Sequence, residues 1–144
     1  MVREDLQHTM QRYVGIVRNG PDLKKGIEEL ERLKKDCSEV KADGASQYNP
    51  GWHEALSLRN LLIAAEAVAK AALMREESRG GHTREDFPNE KDEWLKYNIV
   101  TKRGMDGMMN IEKILRPDPD PELKRIAHAT IEGLDAEVAK EKTK

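Results

Sequence analysis

The chain has 144 residues, 36% of them charged, yet 25 lysines and arginines against 27 aspartates and glutamates leave a formal net charge of −2. That near-cancellation removes the basic field a general nucleic-acid binder needs, so no nucleic-acid partner is expected. The single cysteine, Cys37, excludes an internal disulfide and a cysteine-based zinc site, which fits the reducing, cytoplasmic side of a cell.

A chain of this length can bury roughly two thirds of its unfolded surface, enough for one structural domain. Leu6, Met10, Tyr13, Val14 and Val17 recur at helical spacing and predict a first helix ending near Asn19-Gly20. Pro21 restarts the chain, since proline is tolerated in a first helical turn. Leu23, Ile27, Leu30, Leu33, Cys37 and Val40 predict a second helix to about residue 40, weakened slightly by Gly26. Its Glu28, Glu29, Glu31, Arg32, Lys34 and Lys35 read as a solvated, ion-paired face. Residues 42–51, with Gly44, Ser46, Asn49, Pro50 and Gly51, read as a loop.

A third helix is predicted from Trp52 to about Ser78. Leu58, Leu61, Leu62, Ala65, Val68, Ala69, Ala72 and Leu73 form its stripe, but 11 of the 13 residues from Leu61 to Leu73 are apolar, so this central helix is expected to be covered on more than one side. That run is also shorter than the about 20 residues a membrane crossing needs, and the opening Met1-Val2-Arg3-Glu4-Asp5 has no apolar signal core, so no direct membrane span is expected. Gly80-Gly81 is expected to end the helix by C-capping. Alternation over Tyr97–Lys102 and Met109–Ile114, around Gly104-Met105-Asp106-Gly107, predicts a β-hairpin. Arg116-Pro117-Asp118-Pro119-Asp120-Pro121 reads as an extended linker. A fourth helix from Glu122 carries Leu123, Ile126, Ala127, Thr130, Leu134 and Val138 on one stripe and frays into Lys140–Lys144. Trp52 and Trp94 read as anchors of helix and hairpin packing.

The predicted fold is therefore mainly α: a three-helix antiparallel bundle (spectrin-repeat-like) over residues 1–95, a β-hairpin over 96–116, and a proline-rich linker with a C-terminal helix over 117–144.

Polar chemistry concentrates in residues 76–88. Here His82 is a candidate acid or base, Arg79 and Arg84 are candidate carboxylate binders, and Glu85 and Asp86 are their candidate partners. The same residue types also suit anion binding, or a structural network that ties down a loop after a helix end. His8, His53, His82 and His128 share no metal-ligand spacing, so no metal is assigned. No phosphate-cradling glycine loop, dinucleotide fingerprint or nucleophile elbow occurs.

The stretch Glu77-Ser78-Arg79-Gly80-Gly81-His82-Thr83-Arg84-Glu85-Asp86-Phe87-Pro88 resembles the E-S-R-G-A-H-x-R-x-D-F/Y-P motif. That motif belongs to the C-terminal helical domain of succinate dehydrogenase and fumarate reductase flavoproteins, a family that includes L-aspartate oxidase. Leu6-Gln7 to Met10 and Val14 to Arg18 resemble the family's first helix, Gly26-Ile27 to Leu33 its second, Leu58-Arg59-Asn60-Leu61 to Ala69 its third, and Trp94-Leu95-Lys96 the words after the motif. The resemblance covers roughly residues 3–100. Gly81 stands where alanine is usual, and the segment from Pro117 matches less well.

The resemblance implies the terminal helical domain of a flavoprotein subunit, packed against the flavin-binding domain of the same subunit. FAD would be the cofactor of the parent, with none held by this chain alone, which should be colourless and not catalytic. The parent would oxidise succinate to fumarate, or the reverse, and pass electrons to an iron–sulfur subunit, peripheral on the inner face of the membrane. Arg79, His82, Arg84 and Asp86 would form a charged network at the domain interface. The alternative is a stand-alone helical module for protein–protein interaction.

Overall fold

The computed structural model describes residues 2–45 and 47–141, so the last three residues of the predicted fraying tail, and Ser46 of the predicted loop, lie outside the described residues. The chain is mainly helical. Helix α1 spans Val2–Tyr13, α2 Gly20–Ser38 and α3 Pro50–Met74. Asn19 and Asn49 start α2 and α3: each side-chain oxygen accepts the backbone N–H three residues on, at 2.8 and 3.3 Å, and a proline follows in the first turn. Arg3 of α1 pairs with Glu54 near the start of α3, at 2.7 Å, while the start of α2 meets the segment that caps the end of α3. Helix α2 therefore runs opposite to both neighbours.

The core between the helices is built on Leu23, Leu30 and Leu33, all fully buried, with Leu6, Leu62 and Ala69 from α1 and α3. Each such leucine contributes about 1.5–3 kcal/mol by leaving water. Gly26 has a packing reason that its low helix propensity hides. A Cβ at that position would lie 3.0 Å from Tyr13 Cβ and 3.1 Å from a Val14 methyl, so α1 and α2 cross closely there. Gly26→Ala is expected to lower stability by about 1 kcal/mol, because overpacking of about 1–3 kcal/mol outweighs the propensity gain of about 1. Thermal denaturation decides it, and a stabilised variant would refute the close-crossing argument.

Several expectations change. Helix α1 stops at Tyr13 rather than near Asn19, because Val17–Arg18 leaves the helix as strand β1 and pairs in parallel with β2, Thr83–Arg84. Val17 is consequently exposed rather than on the core stripe. Helix α3 ends at Met74, not Ser78, and Gly80-Gly81 does not cap it. Gly80, at φ +58°, instead turns the chain between Arg79 and His82, whose backbones exchange hydrogen bonds at 2.8 and 3.1 Å. Within this chain α3 buries Leu58, Leu62, Ala65, Ala69 and Ala72 but leaves Leu56, Leu61, Ile63 and Val68 about half exposed, so one apolar side stays open. Trp52 lies 40% exposed on the first turn of α3, its ring edge-on to His53 at 5.5 Å, rather than in the core. Lys34, expected on a solvated face, reaches across to the buried carboxylate of Glu66, which also meets Lys70 at 2.7 Å.

The hairpin forms as predicted, with β3 at Tyr97–Arg103 and β4 at Met109–Leu115 in antiparallel register from Tyr97↔Leu115 to Arg103↔Met109. Gly107, at φ +79°, supplies the left-handed residue of its turn. Trp94, in a short 3-10 helix at Asp92–Lys96, is buried beneath it, with Lys113 Nζ 4.1 Å from its ring centre and the Arg75 guanidinium 5.4 Å away. The tail is two helices rather than one, α4 at Pro121–His128 and α5 at Ile131–Glu141. Ala129 is extended, and the Thr130 hydroxyl takes the Gly133 N–H, so a second helix starts where the apolar stripe simply continues.

Candidate functional site

Helix α3 breaks off at Arg75, and the next 16 residues fold back over its end. Its last carbonyls would be orphaned there. Arg84 supplies the cap: Nη1 donates to the carbonyls of Ala72, Leu73 and Arg75 at 2.8, 3.1 and 3.2 Å. The rest of its guanidinium forms a two-pronged pair with Asp86, Nε and Nη2 each 2.7 Å from a carboxylate oxygen. Arg84 is only 2% exposed, and the Phe87 ring covers it at 4.9 Å. Asp86 also accepts the Gly20 N–H at 2.9 Å, so one ion pair joins the end of α3 to the start of α2. The Arg84 guanidinium holds the Asp86 carboxyl down to about 2, against an ordinary value near 3.8.

Ser78 closes the loop from inside. Its hydroxyl accepts the Arg84 N–H at 2.8 Å and donates to the Phe87 carbonyl at 2.8 Å. Glu77, fully buried, gathers Arg75, Arg79 at 3.2 Å and the Lys91 N–H at 2.9 Å. Burial works to raise its carboxyl, but the Lys91 N–H and the two guanidiniums outweigh that and hold it below the usual carboxylate range. Arg79 also pairs with Glu90 at 3.0 Å.

His82 belongs to a third group. Its Nδ1 lies 2.8 Å from Arg18 Nη1, and its Nε2 3.2 Å from the Arg75 carbonyl. A guanidinium can only donate, so Nδ1 accepts and the proton sits on Nε2, directed at the carbonyl: the ring is neutral. Burial lowers its proton affinity, the charges of Arg18, Arg84 and Arg75 add to that, and the bond to the Arg75 carbonyl only partly opposes them. His82 therefore has both nitrogens committed, and the buried Arg84 cannot reach a substrate.

Arg79, His82, Arg84 and Asp86 thus occupy one corner but pair separately: Arg84 with Asp86, Arg79 with Glu77 and Glu90, and His82 with Arg18. The Arg75 carbonyl, which both Arg84 and His82 touch, is where these groups meet. Glu85 joins neither arginine; its backbone N–H reaches the Arg18 carbonyl at 2.8 Å and its carboxylate lies 3.4 Å from Asn19 Nδ2. Sequence reasoning missed Glu77, Arg75 and Arg18 as members. Glu77 carried a signal, an acidic residue two positions from arginines on either side, whereas Arg18 carried none. Among the described residues no cluster of three or more histidine, cysteine, aspartate or glutamate side chains could hold a metal.

The fold and this corner define a helical bundle with a hairpin, whose densest polar cluster holds a loop in place. Residues 3–140 match the family described as fumarate reductase flavoprotein C-term, and the chain belongs to that family. An uncharacterized FAD-dependent oxidoreductase of Methanocaldococcus jannaschii is 40% identical over 99 residues, 69% of this chain and 17% of that protein. The fumarate reductase flavoprotein subunit of Mycobacterium tuberculosis is 36% identical over 111 residues, 76% of this chain and 19% of the subunit. Among solved structures, the Mycobacterium smegmatis Sdh1 complex in the apo form contains a chain 34% identical to this one, with a TM-score of 0.74 over 92% of this chain and 24% of that one. The chain thus spans less than a fifth of the curated relatives it matches here.

Proposed function

We propose that this chain serves a flavoprotein subunit that interconverts succinate and fumarate, by packing on the subunit's FAD-binding domain and supporting that reaction without performing it alone. The observation that carries the reading is the arginine corner. Its charged groups are taken up in holding residues 75–91 over the end of α3, while the apolar side of α3 at Leu56, Leu61, Ile63 and Val68 lies open. An open apolar face beside a rigid polar corner suits docking against another polypeptide. Arg79 and His82, partly exposed, would sit at the boundary, and Arg84 with Asp86 would brace it from within.

The chain's own residues do not fit FAD. Asn19 and Asn49 each already take one N-terminal amide of α2 and α3, Asp86 takes the Gly20 N–H, and no glycine-rich strand–turn–helix leads into either helix. The flavin, held by the partner domain, would supply hydride exchange with the dicarboxylate. Electrons would then pass to an iron–sulfur subunit, in a complex peripheral to the inner face of the membrane. No helix among the described residues is long and apolar enough to cross a membrane.

In the whole subunit, replacing Arg79 or Arg84 with alanine is expected to reduce assembled protein and its FAD content while leaving turnover per bound FAD unchanged. Visible absorbance and fumarate-reduction rates measured on the same preparation decide this. Normal FAD content and stability with lost turnover would assign the corner to chemistry instead.

A further inference from the structure

Four arginines meet at this corner, and three of them have a carboxylate. Arg75 and Arg79 share Glu77, Arg79 also holds Glu90, and Arg84 holds Asp86. Arg18 differs. Its Nε donates to the Gly15 carbonyl and its Nη1 to His82 Nδ1, both neutral acceptors, and among the described residues no carboxylate pairs with it. The guanidinium is nonetheless partly buried, and that burial lowers its proton affinity with no opposing carboxylate. Withdrawing a charge from water without a counter-charge is costly, so the free chain holds an unbalanced cation.

Arg18 lies at the floor of an open cleft. One side is the last turns of α3, at Val68 and Ala71; the other is β3, at Asn98, Ile99 and Val100; Arg75 and His82 line it with Arg18. A small-molecule site encloses most of its ligand, and this cleft is too open for that. Its walls are mostly apolar, exposed Ile16 and Val17 immediately precede Arg18, and Val68 belongs to the uncovered side of α3. Cationic floor, apolar walls and an apolar margin suit a protein segment that presents an acidic side chain among apolar neighbours.

We infer that Arg18 is the anchor for an aspartate or glutamate of the flavin-binding part of the same subunit, received in the cleft between α3 and β3. The inference rests on the docking reading above and adds to it the point of electrostatic contact. Arg18 already faces His82 from β1, and the neutral ring leaves the incoming carboxylate to the guanidinium. Arg75, which also lines the cleft, is already paired with Glu77.

The test mixes the 144-residue chain with the separately expressed flavin-binding polypeptide of its subunit and measures association by titration calorimetry. Wild type is expected to associate, and Arg18→Ala to weaken association about tenfold or more. Because Arg18→Ala also removes a partner of His82, a second pair leaves the corner intact. Val68→Glu and Val68→Gln place side chains of similar size on an exposed wall, and only the former repels a carboxylate. Weaker association of Val68→Glu than of Val68→Gln supports the inference, and equal association overturns it. Wild-type association indifferent to Arg18→Ala overturns the anchor while the docking reading stands; no association of wild type overturns both. Millimolar succinate alone shifting the amide signals of Arg18 and His82 would make this a small-anion site and also overturn the inference.

Discussion

Arg84→Ala is expected to lower the unfolding free energy of the chain by about 3 kcal/mol or more, read as a fall in urea midpoint at unchanged slope. The side chain is 2% exposed and satisfies three carbonyls at the end of α3 together with both oxygens of Asp86. Alanine removes this donor from all of them at once, leaving the Arg75 carbonyl only His82 and Asp86 only the Gly20 N–H. Lysine keeps the charge but not the planar fork, so Arg84→Lys should recover only part of the loss. A loss below about 1 kcal/mol in the alanine variant, the size of an ordinary surface pair, would remove the capping argument.

The same pair sets an acid limit. Asp86 binds its proton less readily in the folded chain, about 2 against 3.8, so its contribution is fully present above pH 3.8 and is lost as the pH falls through about 2. The shift corresponds to at most about 2.4 kcal/mol, and less because the Asp86 side chain is 33% exposed. Glu77 and Glu66 are also held below the usual carboxylate range and add slope of the same sign. In Arg84→Ala the part due to Asp86 should shrink to what the Gly20 N–H still supports, giving a flatter stability curve between pH 4 and 2.

Glu77→Ala should cost about 2–4 kcal/mol, because it leaves two guanidiniums and a backbone donor around a fully buried space. The damage should be local first: the Lys91 amide, which donates to Glu77 in the native fold, should lose most of its protection in native-state hydrogen exchange while the amides of α2 keep theirs. Glu77→Gln retains an acceptor for Lys91 without the charge and should fall between wild type and alanine. A glutamine variant as stable as wild type would show that the amide bond, not the ion cluster, holds the loop.

Much of the fold was legible because its signals are local. Helix α2 follows from the spacing of Leu23, Leu30, Leu33 and Cys37, which one helical face must satisfy within itself. The hairpin follows from alternation on both sides of a turn whose Gly107 adopts the left-handed conformation that only glycine takes freely. The motif was legible as a polar corner, but its wiring was not. Arg79, His82, Arg84 and Asp86 read as one network, whereas each found its partner through loop geometry that residue types do not encode. Arg84 does pair with Asp86, as its residue type suggested, but its third nitrogen on the end of α3 carried no signal in the sequence.

By itself the sequence determined the three long helices, the hairpin and the family motif. These rest on periodicity, capping residues and glycine positions, which act over a few residues. Only the tertiary structure decided that α1 yields Val17–Arg18 to a two-residue parallel pairing with Thr83–Arg84, and that Arg18 therefore faces His82 rather than solvent on a helix. It also decided that an arginine, not a glycine, caps α3. Pairings between segments so distant in the chain leave no periodic trace, because the free energy that selects them comes from burying groups that meet only once the chain has closed.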